Sequence, residues 1–305
     1  MTRKAFLITL IVVAGVLPIL WYVLFFDHES GIKADETIRY IPLIDQAAVV
    51  VTAFVIKPLY MLVSLALAWR LRRSSSPDLV ALRWGMIAFF VGEAFCSINY
   101  LVFQDKSVLS EYLHNFGMVV AFGFFAYAFL EGMDRHIVQY SHPRKRCALI
   151  GLCEACVKNQ DVPCRFRQLF QLGILVLSLL VFIPLLAQIR EISYYTYIFD
   201  TLYNYTRLKA HQLFEIRYAP LLALVMFLSA FVVVQKPGEK QVPDLARIFL
   251  AAGIGALGFG VFRLFFGSVF AQNLAWAASW EEITEFLLMI IIPCVLWVFR
   301  KALAI

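Results

Sequence analysis

The stretch "AAGIGALGFGVFRLFFG", residues 251–267, decides the fold class. It carries a single charge, Arg263, and no other polar side chain. It lies within an apolar run at 246–270. About 20 such residues, rising ~1.5 Å each as a helix, cross the hydrocarbon core of a bilayer. Gly253, Gly260 and Gly267 recur every seven residues, which predicts a seam for close helix packing.

Seven further runs of this kind follow the same rule, at 5–26, 47–69, 84–103, 113–132, 169–188, 218–235 and 281–299. Of the 305 residues 62% are hydrophobic and 16% charged, and the mean hydropathy is +0.78. A water-facing domain is poorer in apolar residues and richer in charge. The chain therefore reads as an all-α, polytopic membrane protein, a bundle of about eight transmembrane helices. Helices 1–4 occupy 1–132, a small Cys-rich loop fills 133–167, and helices 5–8 occupy 168–305. The first run follows "MTRK" and resembles a signal peptide in its charge. Its apolar length exceeds a signal h-region and no small-x-small cleavage site precedes "DHES", so it reads as retained.

The pI near 9.0 would point to nucleic acid only if the basic residues gathered on a soluble face. They gather at helix ends instead, which is the positive-inside pattern. Arg70, Arg72, Arg73 and Arg83 share one side with Arg144, Lys145, Arg146, Lys158, Arg165 and Arg167, and with Lys236, Lys240, Arg300 and Lys301. That places both termini and the 133–167 loop in the cytoplasm, in a bacterial or archaeal inner membrane, with the lipid bilayer as the main partner and no nucleic acid. The loop at 189–217 falls outside. It carries Tyr194, Tyr195, Tyr197, Tyr203 and Tyr205, and its apolar positions 195, 198, 199, 202 and 205 approach helical spacing. An amphipathic helix on the outer surface is expected there, serving as an interfacial cap or as a docking surface for an extrinsic subunit.

Four of the six cysteines, Cys147, Cys153, Cys156 and Cys164, fall within the 133–167 loop. On the reducing side such a cluster reads as a metal site or a redox dithiol rather than as disulfides. The central C-E-A-C pair lets one turn chelate an ion, and a segment this short needs a staple. Zinc and an iron–sulfur cluster both suit four thiolates, although the spacing matches neither a zinc ribbon nor a ferredoxin run. His136 and His142 are available substitutes for one thiolate; a solvated loop role is the simpler reading of each.

Ionisable residues inside a bilayer mark function when they face protein or water. Glu93 sits mid-run in "FFVGEAFCSINY", with Cys96, Ser97 and Tyr100 on its helical face and Asn99 nearby. His114 and Asn115 open the fourth run. In "SWEEITEFLL", Glu281 and Glu282 suit a helix start, whereas Glu285 lies a turn deeper and is expected to pair with Arg263. Glu93, His114, Arg263 and Glu285 form the candidate catalytic set, with Glu281, Glu282, Asn99 and Tyr100 as a second candidate site. Such a set can carry protons, bind a quinone head or a metal, or only fix helix register as a buried ion pair. The Glu-x-x-His pairs of di-iron bundles are missing. Haem is disfavoured, because paired axial histidines are absent from the runs and no C-x-x-C-H occurs.

The expected function is an integral membrane redox component. It would join a thiolate-bound metal centre to a buried carboxylate/Arg/His site for protons, quinone or a small substrate. A proton- or ion-coupled transporter or channel, and a non-catalytic membrane anchor that docks extrinsic subunits at the 189–217 loop or the 133–167 loop, are the alternatives.

Overall fold

The computed structural model describes residues 38–103, 106–138, 165–235, 242–269 and 273–298. The first apolar run, at 5–26, and all four loop cysteines lie outside the described residues.

Seven long helices run up and down: α1 Leu43–Arg73, α2 Pro77–Phe103, α3 Val108–His136, α4 Arg167–Leu186, α5 Lys209–Gln235, α6 Val242–Val269 and α7 Leu274–Val298. Six are long and apolar enough to cross a membrane. The other, α7, has the length but carries Glu281, Glu282 and Glu285. Large apolar side chains such as Leu62, Leu179, Val225 and Ile291 point outward and stay exposed, as a lipid-facing surface requires.

Glycines set the helix spacing. A Cβ on Gly117 would lie 2.7 Å from Cα of Gly92, and one on Gly255 would lie 2.3 Å from the backbone N of Gly123. These contacts press α3 against both α2 and α6. The seven-residue seam faces α5 and its approach: Gly253 meets the Phe227 ring, Gly260 meets the Glu215 carbonyl and Pro220, and Gly267 meets the Arg207 side chain.

Two of the helices are widened by proline. In α1 the segment Thr52–Ile56 is a π turn, and the Lys57 N–H bonds to the Thr52 carbonyl five residues back. In α5 the segment Phe214–Tyr218 does the same, with the Ala219 N–H reaching Phe214. Pro58 and Pro220 follow directly. A proline donates no hydrogen bond and its ring pushes on the carbonyl four residues back, so the preceding turn opens. Such turns are rare and gather at functional sites.

The segment expected as a surface helix at 189–217 is instead an antiparallel hairpin, β1 Ile192–Ile198 with β2 Thr201–Arg207. The local chemistry explains the correction. The stretch is dense in Tyr, Thr and Ile, which favour strands. Within β1, Tyr194 and Thr196 share one face and are fully buried, while Ser193 on the other face is buried less completely. Phe199 takes the left-handed backbone (φ 53°) that the two-residue turn demands, and its N–H donates to the Gln46 side chain at 2.6 Å. Residues 209–217 then belong to α5 rather than to the loop, so Glu215 and Arg217 are helical.

Candidate functional site

At the hairpin end, the bundle interior holds a continuous polar network. Its deepest part centres on Tyr60 of α1, which is fully buried. The Tyr60 hydroxyl lies 2.8 Å from Glu93 Oε2, 2.6 Å from Glu282 Oε2 and 2.8 Å from Glu285 Oε2. Lys57, one turn earlier, donates to Glu93 at 2.5 Å and to Glu282 at 2.8 Å, and its Nζ is 3.4 Å from Cys96 Sγ. Lys57 lies roughly 21 Å along the helix from Leu43 at ~1.5 Å per residue, near the middle of α1.

A second part lies nearer the hairpin. The close approach of Gly92 and Gly117 lets His114 Nδ1 donate to the Gly92 carbonyl at 3.1 Å. The other ring nitrogen, Nε2, faces an Arg263 N–H at 2.8 Å. A guanidinium only donates, so Nε2 accepts and the proton sits on Nδ1. Arg263 also pairs with Glu281, and its Nε lies 3.3 Å from Glu215. Arg207, at the end of β2, adds a looser contact to Glu215 at 3.8 Å.

The expected constellation thus converges, with one change of partners. Arg263 takes Glu281 and Glu215, while Glu285 turns away to Tyr60. Asn99 donates to Glu111 at 3.3 Å and accepts the Ser107 N–H. The Tyr100 ring lies between Phe54, edge to face, and a tilted Tyr203, toward the hairpin. Sequence reasoning passed over Lys57, Tyr60, Glu111 and Glu215. A lone lysine inside the 47–69 run was the available signal, and Pro58 beside it was a second.

One hydroxyl has one proton and two lone pairs. Three carboxyl contacts to Tyr60 are all hydrogen bonds only if two carboxyls bring protons of their own. Ligand atoms of Glu93, Glu282 and Glu285 also lie within 4.8 Å of one another, as do those of Glu93, Cys96 and His114, spacings a metal ion would accept. Both parts of the network border a cavity of about 620 Å³ between α1, α2, α7 and the hairpin. Lys57, Glu111, Glu215, Arg263, Glu281 and Glu282 face it. Phe54, Leu62 and Leu101 also line it and are each more than half exposed, so it opens on the flank of the bundle. Beyond Tyr60, the buried Met86, Phe89, Met118 and Met289 close the interior.

At the opposite end Arg247 of α6 binds Glu131 at 2.9 Å, Asp134 at 2.7 Å and Asp244 at 2.6 Å, and His136 contacts Asp78 at 3.2 Å. These contacts tie α2, α3 and α6 together at the loop side. No protein-family model, no curated protein and no solved structure matches this chain.

Proposed function

We propose that the protein is a membrane redox component that handles protons at the Tyr60 cluster together with a small substrate or quinone in the adjoining cavity. In this reading eight helices span a bacterial or archaeal inner membrane, with both termini inside. The hairpin faces outward, where extrinsic subunits can dock. Cys147, Cys153, Cys156 and Cys164 hold zinc or an iron–sulfur cluster in the cytoplasmic loop at 133–167.

The observation that carries the proton reading is a charge imbalance. Among the described residues, Glu93, Glu111, Glu215, Glu281, Glu282 and Glu285 share the site with only Lys57, Arg207 and Arg263 as fixed cations. An unpaired buried carboxylate costs several kcal/mol, about the cost of protonating it. The excess therefore calls for protons or cations, and Tyr60 bridges the groups that would exchange them.

The test is infrared spectroscopy of the purified protein in lipid at neutral pH. A carbonyl stretch from protonated carboxylic acid is expected, reduced in Glu285→Gln. A wild-type spectrum without that band would sink the proton reading. The metal half is tested separately, by metal analysis and the absorption spectrum of anaerobically purified protein. A colourless protein with one zinc per chain removes the electron-carrying role.

A second reading, proton-coupled transport, is favoured by one observation. The cavity lies at the hairpin end, opens there on the flank of the bundle, and is closed beyond Tyr60 by Phe89, Met86 and Met118. That is one half of an alternating-access cycle.

A further inference from the structure

Glu111 stands apart from the ion pairs. It faces the cavity, and among the described residues its carboxylate meets only the amides of Asn99, at 3.3 Å, and Asn115, at 3.5 Å. Glu215, Glu281 and Glu282 each have Arg or Lys within 4 Å; Glu111 has none. His211, on α5 in the same wall, is nine-tenths buried, and its Nε2 has no hydrogen-bond partner. Arg263 makes its direct contacts with Glu281, Glu215 and His114, and it and His211 act on Glu111 only at longer range, with no hydrogen bond between them.

Away from Lys57, Arg207 and Arg263 and the carboxylates they pair with, much of the wall is apolar and aromatic. Phe54 and Tyr100 stand edge to face, Tyr203 packs on Tyr100, and Phe90, Met61 and Leu101 continue the surface. A volume of about 620 Å³ is that of a pocket for a small organic molecule. It is far larger than a metal ion needs, and Glu111 offers one carboxylate where a metal wants several oxygens.

We propose that this cavity binds an amphipathic organic cation, an aromatic or branched-alkyl amine. The ammonium donates to Glu111, and His211 Nε2 is an acceptor left open for a second N–H. The hydrophobic body lies against Phe54, Tyr100 and Tyr203, whose ring faces favour a cation. The opening past Phe54, Leu62 and Leu101 admits such a molecule from the lipid side, where amphipathic amines accumulate. The inference shares with the proton reading the excess of carboxylates, to which Glu111 belongs, and adds His211 and the aromatic wall.

The test uses 2-phenylethylamine, 2-phenylethanol and phenylacetate, three probes with one ring and different charge, titrated calorimetrically into the full-length protein in lipid nanodiscs. The amine is expected to bind at least about tenfold more tightly than the alcohol, and phenylacetate most weakly, since a charge-assisted hydrogen bond outweighs a neutral one. Glu111→Gln is expected to lower amine affinity by about tenfold or more while leaving the alcohol unchanged. His211→Ala is expected to weaken the amine less. Equal binding of amine and alcohol, tighter binding of phenylacetate, or a Glu111→Gln protein that holds the amine as well as wild type overturns the proposal. Loss of the infrared band with amine binding preserved would refute only the proton reading.

Discussion

Replacing Arg263 by methionine keeps most of the volume and removes the charge. In the native fold the guanidinium holds Glu281 and Glu215 and donates to His114, and its side chain is 13% exposed. Removing one partner from a buried pair costs about 3–5 kcal/mol. The cost has a ceiling: a carboxyl with an ordinary pKa near 4.3 that takes a proton at pH 7 spends about 4 kcal/mol. Glu215 keeps Arg207 at 3.8 Å and Glu281 is 20% exposed, so the two losses do not add in full. The expected net loss is about 3–5 kcal/mol, which lowers the Tm by on the order of 10 °C. The assay is thermal unfolding in detergent, followed by intrinsic fluorescence. Arg263→Met/Glu281→Gln should recover about half of the loss, because the second change removes the stranded charge. The deficit of the single variant should also narrow as the pH falls, when protons replace the missing guanidinium. A single variant within ~1 kcal/mol of wild type, or a double variant no better than the single, would refute a charged, mutually dependent network.

Other expectations follow from single contacts. Gly255→Val drives a side chain into the α3 backbone at Gly123, whereas Gly258→Ala has nothing within 4 Å; the first should fail to fold and the second should melt as wild type. Tyr194, fully buried under the hairpin, accepts the Leu274 N–H at 2.9 Å, and burial pushes its phenol pKa up. A group raised in the fold contributes stability that is complete below its unfolded value, near 10, and is lost as the pH rises through the folded one. The hairpin junction should therefore loosen only in strongly alkaline solution, read by ultraviolet tyrosinate absorbance. Tyr194→Phe should cost about 1 kcal/mol and abolish the alkaline component.

The spanning helices were legible because a bilayer leaves the backbone few alternatives and an apolar run reports them directly. Their ends were less so: α2 begins at Pro77 and α5 at Lys209, several residues before the apolar runs at 84 and 218, because polar end residues continue a helix without adding hydropathy. The hairpin was misread because Tyr195, Phe199, Leu202 and Tyr205 happen to fall at helical spacing. The shared buried face of Tyr194 and Thr196 is visible only once the strand is seen packed. Glu93, His114, Arg263, Glu281, Glu282 and Glu285 stood out as charges in apolar sequence. Which of them would meet did not, since pairing depends on helix neighbours that one chain's sequence does not display. Lys57 escaped because a single lysine barely dents a hydropathy window. Glu215 escaped because it was assigned to a loop.

A π turn amounts to one residue more than the α turn it replaces. Deleting a single residue between Thr52 and Ile56 would let α1 relax to uniform helix and rotate everything before it by about 100°. Gln46 would then leave the hairpin turn, and Asp45 would lose Asn273, which it now meets at 2.6 Å. The same deletion ahead of Pro220 would swing Glu215 and His211 off the cavity wall. The two prolines therefore act as register marks. They fix how many residues the chain counts between the bundle interior and the hairpin, so these two short segments should tolerate substitution far better than any change of length.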